Sequence, residues 1–176
     1  MATIANQAAT VVGIYGLPGV QPELRTSKEK ASQTFIAGSF LNDDTAGFLR
    51  QHASDNDGDI VGVAQAAGQN KASDGLMSSQ YIPMVPSLLM EMSFLGATDG
   101  THVLAQTDLW VGYQYQLTGT VVLETIDATA TTPRVFCVKI ELDGGTAGAP
   151  RGIIGDTNAR VYVVPVGSLC AVTPDA

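Results

Sequence analysis

Few residues of this chain are of types that do covalent chemistry, and their spacing assembles no active centre. The 176-residue sequence holds two histidines and two cysteines. His52 and His102 do not form an H-x-x-x-H pair, and Cys137 and Cys170 lie far apart, so a metal centre would have to lean on carboxylates. Both histidines read as solvated loop residues, and Cys137, inside an apolar run, reads as a reduced, buried side chain. The run Ser54, Asp55, Asn56, Asp57, Gly58, Asp59 looks like a calcium loop. Aligned on its glycine, it offers Asp55 and Asp57 as ligands. It then puts Ala53 first and Ala64 last, where an Asp and a bidentate Glu are required. The stretch therefore reads as a polar Asx turn, with weak cation binding by Asp55, Asp57 and Asp59 as the alternative. Ser27 and Lys30 match S-x-x-K and Ser54 to Asn56 match S-D-N, but the K-T-G element that should accompany them is missing. No G-x-S-x-G elbow or phosphate loop occurs. Nothing joins a nucleophile to a base and an orienting acid, so the chain reads as a non-enzyme with no cofactor and no metal.

Charge narrows the partners further. Nine Lys and Arg oppose 17 Asp and Glu, a net charge of −8, and the densest basic stretch (Arg25, Lys28, Lys30) is interrupted by Glu29. Nucleic-acid affinity rests on phosphate neutralisation, so no nucleic-acid partner is expected. No apolar run is long enough for a membrane-spanning helix, and the first residues lack a basic, then apolar, leader pattern. Synthesis and retention in the cytosol, or exit by a route that needs no cleaved signal, are the expectation. Charged residues make up only 15%, against about 25% in an ordinary soluble domain, while 45% are hydrophobic. That balance suits a chain with a real core and with surfaces that another molecule covers.

The elements that must carry these residues are strands. Between 109 and 117, Leu109, Val111, Tyr113, Tyr115 and Leu117 alternate with Trp110, Gly112, Gln114 and Gln116, the period of a half-buried strand with a partner-facing side. Residues 120–126 are rich in β-branched side chains. Segment 134–142 sets Phe136, Val138, Ile140 and Leu142 on one face against Val135, Cys137, Lys139 and Glu141. Segment 160–166 holds Pro165, which suits an edge or a strand end. Earlier candidates are 9–15, 33–40, 47–51 and 59–66, the last a small-apolar run suited to cover on both faces. Segment 82–94 fits both periods, but Pro83 and Pro86 argue for an extended chain. A helical turn fits only at Thr107 to Leu109 or between Ser27 and Ser32. The expected fold is all-β: a single-domain β-sandwich or barrel, jelly-roll-like, with long loops such as 143–155. Residues 1–24 are expected to form an N-terminal arm and residues 25–176 the β-rich domain.

Two groups of side chains suit contact with a partner. Val11, Val12, Ile14, Tyr15 and Leu17 lie in the arm, and Trp110, Gln114 and Gln116 share one strand face. Trp110 reads first as packed under a loop and second as an interface anchor, since an exposed Trp gives a large contact area at low entropy cost. Met84, Met90 and Met92 read first as core and second as an adaptable surface.

The residues from Phe35 to Phe40, then Gly47, Phe48, Leu49, Arg50, then Asp57, Gly58, Asp59, Ile60, Val61, Gly62, Val63, Ala64 resemble the head-decoration (cement) proteins of tailed bacteriophages. So does the stretch from Thr107 to Leu117, which ends in Tyr-x-Leu. The likeness covers roughly residues 33–118. It implies a virion structural protein on the exterior of an expanded capsid, bound to the major capsid protein and to its own copies, commonly as a homotrimer. Two rivals stay open: another virion β-domain (minor capsid, tail or fibre component), and a small-ligand or glycan-binding barrel with Trp110, Tyr113 and Tyr115 lining its pocket.

Overall fold

A computed structural model describes residues 8–52, 60–95, 103–117, 121–124, 134–140, 145–146, 149–150, 154–156 and 159–166. Among these, the regular elements are thirteen strands and one 3-10 turn, with no α-helix. The strands are β1 (Thr10–Ile14), β2 (Arg25–Lys28), β3 (Phe40–Asp43), β4 (Leu49–Gln51), β5 (Gly62–Ala64), β6 (Ser78–Pro83) and β7 (Leu88–Leu95). After the 3-10 turn Gln106–Asp108 come β8 (Gly112–Leu117), β9 (Val121–Glu124), β10 (Val135–Ile140), β11 (Gly145–Thr146), β12 (Ala149–Pro150) and β13 (Arg160–Pro165).

The chain starts in one sheet, builds a second from consecutive strands, and returns to the first. The first sheet runs β1-β7-β13-β10-β8-β9, and β9 also pairs in parallel with the end of β7. The second runs β2-β6-β5-β3-β4 with antiparallel neighbours. Its outer strands approach each other, because Glu29 bridges Leu49 and the Lys30 N–H donates to the Leu49 carbonyl at 2.8 Å. Strands β11 and β12 form a short ladder of their own, inside the stretch expected to be a loop.

The sheets share one apolar core. Phe40, Val63, Ile82 and Met84 from the second sheet pack with Leu88, Met90, Met92, Val161 and Val163 from the first, which is the all-β sandwich that the period-two patterning predicts. The opposite face of the second sheet has a smaller core of Phe35, Leu41, Leu49 and Ala64. This is why β5 is buried at every position, as its run of small apolar residues predicts. A Cβ on Gly62 would run into the Tyr81 ring and come within 2.5 Å of the Ile82 carbonyl oxygen, so glycine lets β5 and β6 approach here.

Several expectations need correction. The strand expected over 33–40 begins only at Phe40. Gly38, at φ 86°, closes a turn in which the Ser39 N–H donates to Ile36 O, and Phe35 tucks into the smaller core. In β10 the expected faces switch partway, because the register with β13 shifts between Cys137 and Lys139. Val135, Cys137 and Ile140 therefore point to the core, while Phe136 is 37% exposed. Pro165 takes the second of its two expected places, a strand end, and closes β13, which lies inside the sheet between β7 and β10. His52, expected in solvent, is buried, its N–H extending the β3–β4 pairing to Phe40 O at 3.0 Å. The extended reading of 82–94 holds, with β6 and β7 joined by a turn at Pro86 that the Leu88 N–H closes on Val85 O.

Candidate contact surface

The described part of the expected arm is built into the domain. Strand β1 pairs with β7 through Thr10 and Glu91, Val11 and Met90, Gly13 and Leu89, and Ile14 and Leu88, with a bulge between Val11 and Gly13. This divides the five candidate residues in two. Val11 and Ile14 pack against the main core, whereas Val12, Tyr15 and Leu17 are exposed. Past β1, Gly16 and Gly19 take left-handed φ values of 78° and 81° and fold the chain back. The Leu17 N–H donates to Ile14 O and the Val20 N–H to Leu17 O. The outcome is a run of exposed apolar side chains, Val12, Tyr15, Leu17, Val20 and Leu24. Sequence reasoning missed Val20 and Leu24, although an apolar residue inside a Gly- and Pro-rich connection was the available signal. Beside this run, Ile14, Pro22, Glu23, Arg25, Pro83 and Val85 line a cavity of about 140 Å³. The Arg25–Glu23 ion pair at its rim, 3.2 Å, is solvent-exposed and adds little stability.

Trp110 stands on a turn rather than on the strand expected from residue 109. The Asp108 carboxylate makes that turn: it accepts the Ala105 N–H at 2.8 Å and the Tyr113 hydroxyl at 2.8 Å. The chain then passes Trp110 at φ 66°, a left-handed conformation unusual for a bulky side chain, and β8 starts at Gly112. Strand β10 grips the backbone there. The Trp110 N–H donates to Cys137 O at 2.8 Å, and the Cys137 N–H donates to Val111 O at 3.0 Å. The indole is 62% exposed, on a part of the chain where Val111 and Phe136 are also exposed. The backbones of Gln114 and Gln116 pair with Glu124 and Val122, and their side chains lie outside the described residues.

Tyr113, in contrast, is a core residue. Burial, then its hydrogen bond to Asp108 and that carboxylate's charge, push its hydroxyl far above the ordinary range. It therefore lines no open pocket, and the side chain of Tyr115 lies outside the described residues. Burial, followed by the charge of Asp108, pushes the Cys137 thiol up to about 12, a protonated and unreactive state at neutral pH. Among the described residues, no group of three or more His, Cys, Asp or Glu could hold a metal ion. His102, Cys170 and the Asp55, Asp57, Asp59 turn lie outside the described residues.

One polar cluster went unseen in the sequence. Glu91 and Ser93 on β7 and Arg160 and Tyr162 on β13 are buried on the sheet face opposite the apolar core. Lys139 sits over the Tyr162 ring at 4.8 Å from its centroid. The available signal was Met-Glu-Met-Ser alternation at 90–93, which marks a strand with one polar face. The pairing with Arg160 comes from the fold alone. No protein-family model matches the chain, and no curated protein matches it at a significant level.

Proposed function

We propose that this chain is a non-enzymatic virion structural protein that binds the outer surface of an expanded phage capsid and bridges and stabilises neighbouring capsomers. Its partners in this reading are the major capsid protein and further copies of itself, in a homotrimer assembled in the host cytoplasm. The resemblance to head-decoration proteins suggests this role. The observation that carries it is the exposed apolar run of Val12, Tyr15, Leu17, Val20 and Leu24 beside β1. An exposed apolar patch rimmed by polar groups is a common mark of a protein interface. Trp110 supplies a second exposed anchor. The net charge of −8 suits an exterior layer that does not capture packaged DNA. Several contacts of roughly 1,000 Å² each would give a bridging oligomer avidity, and binding only the expanded shell would stabilise it by mass action.

Co-sedimentation of the purified chain with expanded empty heads, together with its solution mass from light scattering, tests this reading. Point variants are the right probe, because deleting residues 1–20 would also remove an edge strand of the sheet. Tyr15→Ser with Leu17→Ser should leave the fold intact and weaken head binding at least tenfold, and Trp110→Ala should do the same. A folded wild-type chain that fails to bind heads at saturating concentration would overturn the proposal and favour a glycan- or ligand-binding role for Trp110.

A further inference from the structure

Among the described strands β1 is an edge of the first sheet and pairs with β7 alone. Its inward side chains, Val11 and Ile14, are only partly buried, and its register breaks at a bulge. A cavity of about 190 Å³, lined in part by Ala8, Thr10, Val11, Ala37 and Gln65, lies against its beginning. Of residues 8–14, only the small Ala9 buries its side chain fully in the core, so apolar packing holds this strand less than it holds β13. The interior strand β13 is buried from Arg160 through Val163.

Beside the buried Ala9 and the ladder to β7, the Arg160 guanidinium adds a polar tie to the start of β1. From β13, Arg160 Nη2 donates to the Ala8 carbonyl at 3.2 Å, to Thr10 Oγ1 at 3.1 Å and to the Glu91 carbonyl at 2.9 Å. Its Nε lies 3.6 Å from Glu91 Oε1, and both side chains are less than a tenth exposed. Arg160 thus reaches from β13 past β7 to β1, and a buried charge keeps those contacts because losing them would leave it poorly compensated.

We propose that Arg160 is a latch, and that β1 leaves and rejoins the sheet as one unit, gated by the contacts of Arg160 with Ala8 and Thr10, while the other strands stay in place. Local openings of this kind draw on weakly packed edge elements. The turn at Gly16 and Gly19 gives the strand a pivot. Opening bares the edge of β7 over residues 88–91, a template on which an extended segment can add as a strand. The latch does not depend on what the chain binds.

Hydrogen-exchange mass spectrometry on the full chain tests it, comparing wild type with Thr10→Val and Arg160→Met. Thr10→Val keeps the β-branched shape and the Arg160–Glu91 pair and removes one acceptor of the latch. Amides of β1 should exchange at least about fivefold faster in Thr10→Val, with β10 and β13 at wild-type rates, and faster still in Arg160→Met, which also strips the buried Glu91 of its ion-pair partner. If Arg160→Met does not fold, Thr10→Val decides by itself. Unchanged β1 exchange in Thr10→Val would overturn the latch. So would β1, β10 and β13 accelerating together in Thr10→Val, because the strand would then open only with the whole domain.

Discussion

Trp110 permits a comparison in which ring and backbone are tested separately. Trp110→Ala and Trp110→Gly both remove an indole that is 62% exposed, so both lose the same partial burial. A covered Trp side chain buries roughly 150–250 Å². A little over a third of that, at about 25 cal/mol per Å², comes to roughly 1.5–2.5 kcal/mol. The two variants then diverge. At φ 66° an alanine keeps the Cβ–carbonyl crowding of the left-handed region, which costs about 1–2 kcal/mol and which glycine lacks. At an ordinary backbone position the order is reversed, because the freedom of the unfolded chain makes glycine worse by about 0.4–1 kcal/mol. The net expectation is that Trp110→Gly is the more stable variant by on the order of 1 kcal/mol, about 2–4 °C in Tm for a chain of this size. Thermal and urea unfolding followed by circular dichroism would measure the difference, and head binding should fall equally in both. An alanine variant as stable as the glycine variant would refute the reasoning, since it would mean that the grip of β10 stores no strain at this turn. Equal loss of stability with full head binding would remove the indole from the contact surface.

Two further outcomes follow from the packing and the charges. Gly62→Ala should destabilise the chain by about 1–3 kcal/mol in urea titrations with an unchanged m-value, because the Ile82 carbonyl that the new methyl meets is backbone and cannot rotate away. Asp44 titrates at about 2, below the ordinary 3.8, because the Lys30 ammonium at 2.7 Å and the Phe48 and Ala46 N–H groups favour its ionised form. A lowered folded-state value means that its stabilisation is complete above about pH 4 and is lost as the pH falls towards 2. Urea midpoints taken across that window should therefore fall less steeply in Asp44→Asn than in wild type, and parallel curves would contradict the assignment.

Much of the architecture was legible in the residues. A run of small apolar residues located β5, alternation located β10 and β13, the prolines at 83 and 86 kept segment 82–94 extended, and the turn at Thr107 to Leu109 has its counterpart in Gln106–Asp108. The candidate surface was legible only in part. Val12, Tyr15, Leu17 and Trp110 are exposed, but Val11 and Ile14 face the core. Apolar character alone cannot tell an interface residue from a core residue, because both are driven by the same removal of surface from water.

Local pattern, then, determined that this chain is made of short strands with a shared apolar interior, since side-chain alternation is a property of consecutive residues. Tertiary structure alone decided which face each strand buries and which polar groups meet. One extra residue at the bulge of β10 moves the inward position that follows Cys137 from Lys139 to Ile140. Arg160 and Glu91 are far apart in the chain, and only the pairing of β13 with β7 sets them beside each other. The left-handed turn at Trp110 joins a local carboxylate, Asp108, to two hydrogen bonds with Cys137 of β10, and those two no local window contains. Register and burial are cooperative properties of the whole sheet, so they are settled when the strands assemble and not before.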